Sequence, residues 1–505
     1  MNPGVRANFS SGSVNGSLWR GSSPLPILLL FAVIAALAIT DRSFWIDECV
    51  TAEFGKQSTV VNCWRAMMGV SEVQQPLYML YMWSCVHLVG STELVLRAAG
   101  APWFIIGATV FVRAFGRVIG STLLPALLIS SSAFVWYYLN EARVYIAELG
   151  LALALIGSAI DCLQCIDAPE NSRASLRLFL LSLLLLCGTS VLAAAWGAFF
   201  LLGLLVCVPR SKWIAYLRLV PWSFAACGGG LVALAAYYGW TFTLHARATA
   251  VGTTTPQTMI FVFYELLGFV GLGPGRNELR ASGASALLPY AGSILMFAVA
   301  VGGTFWNGTK ELTARFGVKR VLLLTVIVGT PFVALCAIGI ATRFRVLGRH
   351  VVPLLPLLWI VLAFGIVRLL QQPSRIGKIV AAAFFCLNFA SSFSVRFAAR
   401  HEKDDYRGAA AIARRAVASG ETVWWNAERL GAAYYGLSAS NAPGRTYVII
   451  LTNPTRDELR QFPAPSVVIA SKPDTYDNGR AVIAYVNERQ YRISARLPAF
   501  VVWTK

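Results

Sequence analysis

Apolar residues in this chain run in long blocks, not in short alternations. A helix that crosses a bilayer needs about 20 such residues. Eleven stretches are candidates, near residues 24–40, 98–113, 119–138, 145–163, 176–189, 190–208, 219–240, 286–306, 321–341, 351–369 and 379–395. The fifth and sixth form one nearly continuous run, 176–208. Gly188-Thr189-Ser190 is the small and polar cluster where a turn between two short helices belongs. Basic residues then mark every second connection: Arg113 and Arg117; Arg173 and Arg177; Arg210, Lys212 and Arg218; Lys310, Arg315, Lys319 and Arg320; Arg368, Arg375 and Lys378. Short loops rich in Lys and Arg stay cytoplasmic. The pattern therefore predicts a cytoplasmic N-terminus, with the C-terminal segment outside. It depends on two spans in 176–208; a single span there would break the alternation.

Three predicted outer segments are too long or too polar for plain turns. The first, 41–97, contains the aromatic stretch Pro76 to Leu88, which suits a helix lying in the interface. The second, 241–285, contains a similar stretch, Phe261 to Phe269, with Glu265 inside it. The third is everything beyond about residue 396. There, charged residues become frequent and short β-rich runs appear: Thr422 to Trp425, Tyr447 to Leu451, Val467 to Ala470 and Ala499 to Trp503. Helical patterns lie between them at 405–418, 456–461 and 480–489. Alternating strands and helices predict a small α/β domain over 397–505, large enough to bury its own core. Asp404-Asp405 reads as a helix start with acids at the positive end of the dipole, in preference to a catalytic pair.

Composition agrees with this class. The chain has 505 residues, of which 57% are hydrophobic and only 13% charged, with a mean hydropathy of +0.62. That is too apolar for a soluble protein of this length. The formal charge of +19 is scattered through short loops, as membrane orientation requires, and does not form a nucleic-acid-binding patch. Of ten cysteines only Cys162 and Cys165 have CxxC spacing, and there is no second pair. Cys187, Cys207, Cys227, Cys336 and Cys386 lie inside apolar runs and read as small buried hydrophobes. Residues 1–22, rich in Gly, Ser and Asn, read as a flexible cytoplasmic tail. The first apolar run lacks a small-residue cleavage site after it and reads as a retained span.

Polar residues collect on the predicted outer face in four groups. The first is Asp47-Glu48, closely following the first span. The second is Glu72-Val73-Gln74-Gln75-Pro76-Leu77-Tyr78, with Glu93 and Arg97 after it. The third is Asn140-Glu141-Ala142-Arg143-Val144-Tyr145. The fourth is Arg343-Phe344-Arg345 with Arg349-His350, just before the tenth span. Any one group could be polar residues ending a span, with Arg and His snorkelling. Charged residues in all four point to a shared site, because charge at this depth needs a partner or a task.

Four stretches carry a resemblance: Trp45-x-Asp47-Glu48; Gln75-Pro76-Leu77-Tyr78 with Arg97 after it; Glu141-x-Arg143-x-Tyr145; and Arg349-His350 with Pro353 and Pro356. Together they resemble the multispanning glycosyltransferases of the GT-C class, in particular the protein O-mannosyltransferase and lipid A aminoarabinose transferase group, over most of residues 20–396. The resemblance implies a GT-C-like polytopic helical fold of about eleven spans, here with the extracytoplasmic α/β domain added. It implies a sugar donor carried on a polyprenyl phosphate, an aspartate of the first outer loop as base, and inversion at the anomeric carbon. Relatives commonly show a Pro-Pro pair preceded by His or Lys; here Gln74, Gln75 and Pro76 stand in its place, which puts a metal or phosphate contact there in doubt. Only four His occur and no two have metal-ligand spacing. No dedicated metal is expected, although a loosely held divalent cation stays open.

The chemistry needs a base for the acceptor's proton and fixed positive charge where the phosphate gains charge. Asp47 fits the first role, with Glu48 and Glu141 beside it as catalytic or orienting carboxylates. Arg97, Arg143, Arg345 and Arg349, joined by Tyr145 and His350, are the candidates for the donor phosphate. Glu72, Gln75 and Tyr78 are expected at the acceptor or in its loop. No glycine-rich phosphate loop appears, which argues against a soluble nucleotide-sugar donor. The acceptor is open among lipid, glycan and protein. A transporter or lipid flippase is the competing reading, although its polar residues would belong near the bilayer midplane, usually with a repeat of two halves. A non-catalytic envelope assembly protein is a third.

Overall fold

The computed structural model describes residues 23–243, 252–437 and 448–505. The tail 1–22, part of the outer segment 241–285, and Tyr447 of one expected strand lie outside the described residues. A helical layer runs to Phe397, and a five-stranded mixed sheet with helices follows.

Seven helical stretches among the described residues are long and apolar enough to cross a membrane: Glu93–Ile119, Tyr145–Gln164, Pro169–Thr189, Arg276–Phe316, Val318–Ala341, Gly348–Gln371 and Arg375–Phe397. An eighth arises if Val191–Cys207 and Arg210–Leu219, bent by 118°, count as one span. The other expected spans are helical but differ in form. Leu25–Ala38 has 14 residues, and Pro221–Thr243 has 23. The expected span 119–138 is two short helices, Leu123–Ser130 and Ala133–Leu139. Ser131-Ser132 breaks it, and side chains take up the freed carbonyls: the Trp136 indole donates to Ser130 at 2.8 Å, and the Ser392 hydroxyl to Ser131 at 2.7 Å. In the run 176–208 the chain does turn, at Ser190, whose hydroxyl accepts from the Ala193 N–H and starts the next helix.

Small residues allow the helices to touch backbone to backbone. A Cβ on Gly150 would stand 2.2 Å from the Trp103 carbonyl oxygen, and one on Gly107 would stand 1.8 Å from that of Gly150. Gly308 and Gly365 make the same kind of crossing between Ala291–Phe316 and Leu355–Gln371. Lipid gives no hydrophobic drive for helix association, so close packing of this kind holds such a bundle together.

The sheet orders its strands β2-β1-β3-β5-β4: β1 (Val423–Asn426), β2 (Val448–Ile450), β3 (Val467–Ser471), β4 (Arg492–Leu497) and β5 (Phe500–Thr504). The first three are parallel, and β5 runs antiparallel between β3 and β4. Trp424 and Trp425 of β1 are both fully buried, in separate clusters on the two faces of the sheet. Asp405 caps the helix Tyr406–Ala418 by accepting from the Gly408 N–H, and Asp404 pairs with Lys472.

This domain is pinned to the loop after Leu25–Ala38. The Tyr435 hydroxyl takes the Phe44 N–H at 2.7 Å and donates to Glu93 at 2.9 Å. The Tyr434 hydroxyl donates to the Ser91 carbonyl, and Lys56 lies 3.7 Å over the Tyr434 ring.

Candidate functional site

Asp47 and Glu48 open the helix Ile46–Gly55, at the positive end of its dipole. Neighbouring residues of a helix point in different directions, and here the two acids part company. Glu48 turns inward and is fully buried. It holds Arg97 in a fork, at 2.8 Å to Nε and 2.7 Å to Nη2, and accepts from the Ala142 N–H at 2.8 Å and the Trp45 N–H at 3.3 Å. Burial alone would raise its pKa. The charges of Arg97 and then Lys403, with the hydrogen bonds from Arg97 and Ala142, outweigh that and hold the carboxyl below its ordinary value. Glu48 is therefore a fixed anion, with no free edge for a proton.

Arg97 requires a correction. Its remaining N–H groups donate to the carbonyls of Thr40 (2.9 Å), Arg42 (2.7 Å) and Ser43 (3.1 Å). With the two bonds to Glu48 that makes five, the whole capacity of a guanidinium. None is left for a phosphate. Arg97 ties down the loop that delivers Asp47.

Asp47 faces the other way. Its side chain is 28% exposed, and Oδ2 stands 3.5 Å from Arg349 Nη1. Arg143 lies beneath, donating to the Asp47 carbonyl at 3.3 Å and the Thr51 hydroxyl at 3.2 Å, with Nη2 3.5 Å from Glu72 Oε1. The Arg349 guanidinium sits 5.9 Å from the Trp45 ring centre and 5.6 Å from that of Tyr145. Glu141 is buried and pairs through Oε2 with Lys403 at 3.4 Å. Tyr78 is buried, and Gln75 is half-buried just before it.

Two expected donors do not join. Arg345 is exposed, with its stem against Gly252. His350 stacks on Phe344 at 4.9 Å and accepts from the Leu347 N–H through Nδ1 at 3.2 Å. In the tight turn Gly348–Leu354, successive side chains leave in different directions, so Arg349 reaches Asp47 and His350 caps the turn.

Three residues of the site were not singled out from the pattern. Arg276 lies 5.5 Å from the Trp45 ring and 5.4 Å from that of Tyr137, and 3.8 Å from Glu265 Oε1. Glu265 also accepts from the Gly348 N–H at 2.7 Å and so anchors the turn that carries Arg349. Lys403, from the segment leading into the sheet domain, donates to the Asn140 carbonyl at 2.8 Å. Glu265 had a signal, a lone acid in an aromatic stretch. Arg276 and Lys403 had none beyond falling in the outer segments.

Twelve buried side-chain polar atoms among the described residues have no partner within the protein, and five of them belong to this group: Trp45 Nε1, Gln75 Oε1, Glu141 Oε1, Arg143 Nε and Arg349 Nε. Buried polar groups are overwhelmingly hydrogen-bonded, so these atoms are open to a polar ligand or to water. Among the described residues no group of three His, Cys, Asp or Glu could hold a metal.

A bundle of apolar helices, a polar cluster at one end and a small mixed domain beyond it define a multi-pass membrane protein of GT-C-like fold. Among solved structures, ArnT from Cupriavidus metallidurans bound to undecaprenyl phosphate matches with a TM-score of 0.52 and 14% identity, covering 95% of this chain and 97% of that one. The apo state of ArnT gives 0.51 with the same identity and coverage. At this identity the likeness is one of fold. No family model and no curated protein sequence matches the chain.

Proposed function

We propose that this chain is a membrane glycosyltransferase. It moves a sugar from a polyprenyl-phosphate donor to an acceptor at the outer face of the cytoplasmic membrane, with inversion. The observation that carries the reading is the part-exposed Asp47 carboxylate beside Arg349, with unpartnered buried donors around it. The ArnT structure bound to undecaprenyl phosphate supports it by fold.

Asp47 accepts the proton of the acceptor hydroxyl as that oxygen bonds to the anomeric carbon. The bond from this carbon to the phosphate oxygen breaks on the opposite side, and the electron pair leaves with the lipid phosphate. Arg349, with its free Nε, and Arg276 beside the same tryptophan meet the growing phosphate charge. Arg143 steadies the Asp47 backbone. Glu48 and Arg97 hold the loop. The N-terminus lies in the cytoplasm and the sheet domain outside.

The test is purified protein in liposomes with a radiolabelled polyprenyl-phosphate sugar and mixed envelope acceptors. Asp47→Asn keeps the shape and removes the base. Transfer is expected to fall by about 10²-fold or more, with membrane abundance unchanged. Equal turnover by variant and parent would remove Asp47 from the chemistry. Movement of label across the bilayer without a new glycosidic bond would point to a flippase instead.

A further inference from the structure

A polar pocket adjoins the Asp47 group where the helices Leu25–Ala38 and Arg375–Phe397 end, and shares Arg97 and Lys403 with that group. Arg42, Trp136, Asn140, Arg396, His401 and Lys403 wall it. The carboxylates nearby are committed: Glu402 stands 3.4 Å from Arg42, and Glu141 stands 3.4 Å from Lys403. Arg396 uses Nε on the Leu37 carbonyl at 2.8 Å, and no ion pair with a carboxylate engages it among the described residues. His401 Nε2 is buried and has no partner. Burial, and then the charge of Arg400, lower the His401 pKa to about 4, so the ring is neutral at neutral pH. The ring therefore turns one buried nitrogen, Nε2, into the pocket with no protein partner.

The pocket thus offers guanidinium donors beside one buried, unpartnered ring nitrogen, at the ends of two apolar helices. Side chains at that level meet the headgroup layer. We infer that this pocket binds the phosphate of a membrane lipid whose headgroup also carries a hydroxyl. Arg396 and Arg42 hold the phosphate oxygens, and His401 Nε2 hydrogen-bonds the hydroxyl, which can donate or accept. Phosphatidylglycerol has both groups; phosphatidylcholine has the phosphate and no hydroxyl. The site is a lipid-holding one and does not depend on the proposed reaction.

Full-length protein, delipidated and titrated with each lipid, is read by native mass spectrometry. One phosphatidylglycerol is expected to be retained in preference to phosphatidylcholine. Arg42→Gln with Arg396→Gln should weaken it by about 10-fold or more, the size of a lost charge-assisted hydrogen bond, while Arg396→Lys keeps most of the binding. Inorganic phosphate is titrated as a competitor: no displacement assigns the site to lipid, whereas full displacement at equal concentration assigns it to free phosphate and overturns the lipid. If the double variant fails to accumulate, His401→Phe decides, through loss of the preference for phosphatidylglycerol. Equal retention by folded parent and double variant, or an unchanged preference in His401→Phe, overturns the site.

Discussion

Asp47 and Glu48 are chemically alike and one position apart, yet they do opposite work. Glu48 spends its charge on Arg97 in the protein interior; Asp47 keeps an edge open beside Arg349. Removing one partner of a buried pair leaves the other charge stranded, at about 3–5 kcal/mol. Glu48→Gln is therefore expected to lower membrane abundance and the melting temperature, where Asp47→Asn lowers activity alone; a thermal-shift assay on both separates them. The pH dependence has a definite sign. The folded pKa of Glu48 is depressed, so its contribution is complete above the ordinary carboxylate range and lost as pH falls through the lower folded value. As pH falls below the ordinary carboxylate range, the parent should lose more stability than a surviving Glu48→Gln protein, in acid melts of the two. At Arg349, replacement by Lys exchanges a planar fork for a point charge. Donor KM should rise by about 10-fold with the acceptor KM little changed, and an unchanged donor dependence would take Arg349 out of the site. The sequence made the two acids and the arginines visible as a group. It could not show which arginine is saturated, because three of the acceptors that occupy Arg97 are backbone carbonyls, and carbonyls have no letter in a sequence.

At the scale of elements, apolar length found the helices and misjudged their continuity. The stretch 119–138 has the composition of a span but breaks at Ser131-Ser132, where neighbouring side chains satisfy the exposed carbonyls. Hydropathy averages over such a break. The Gly107–Gly150 crossing was equally invisible, since a glycine in an apolar helix reads the same whether it faces lipid or another backbone. Its consequence is testable. Gly150→Val has no room for its side chain and should cost at least about 1–3 kcal/mol, read as a lower melting temperature in detergent. Gly228→Ala, at a position with open space, should be silent.

For the whole molecule, the helical layer and the sheet domain meet around the site. The alternation of strands and helices after residue 397 was legible. Strand β4 was not, because it is an edge strand with mostly exposed residues, and its letters lack an apolar run. From the basic loops we propose that this domain lies on the outer side of the membrane. Cysteines introduced at Arg315 and Leu430 should react with an impermeant reagent on opposite faces, 315 inside and 430 outside; labelling on the same side would overturn that orientation.

The clasp between Tyr435 and Phe44 joins residues 391 positions apart. A ribosome adding about 5–20 residues per second needs roughly 20–80 s to make that interval. Through this interval the segment that carries Asp47 has been made and its finishing partner has not. A nascent chain at that stage presents an unclasped loop, which is where quality-control proteases would find it. Stalling translation before residue 435 should yield inserted chains that are cut near Phe44, and release of the stall should protect them.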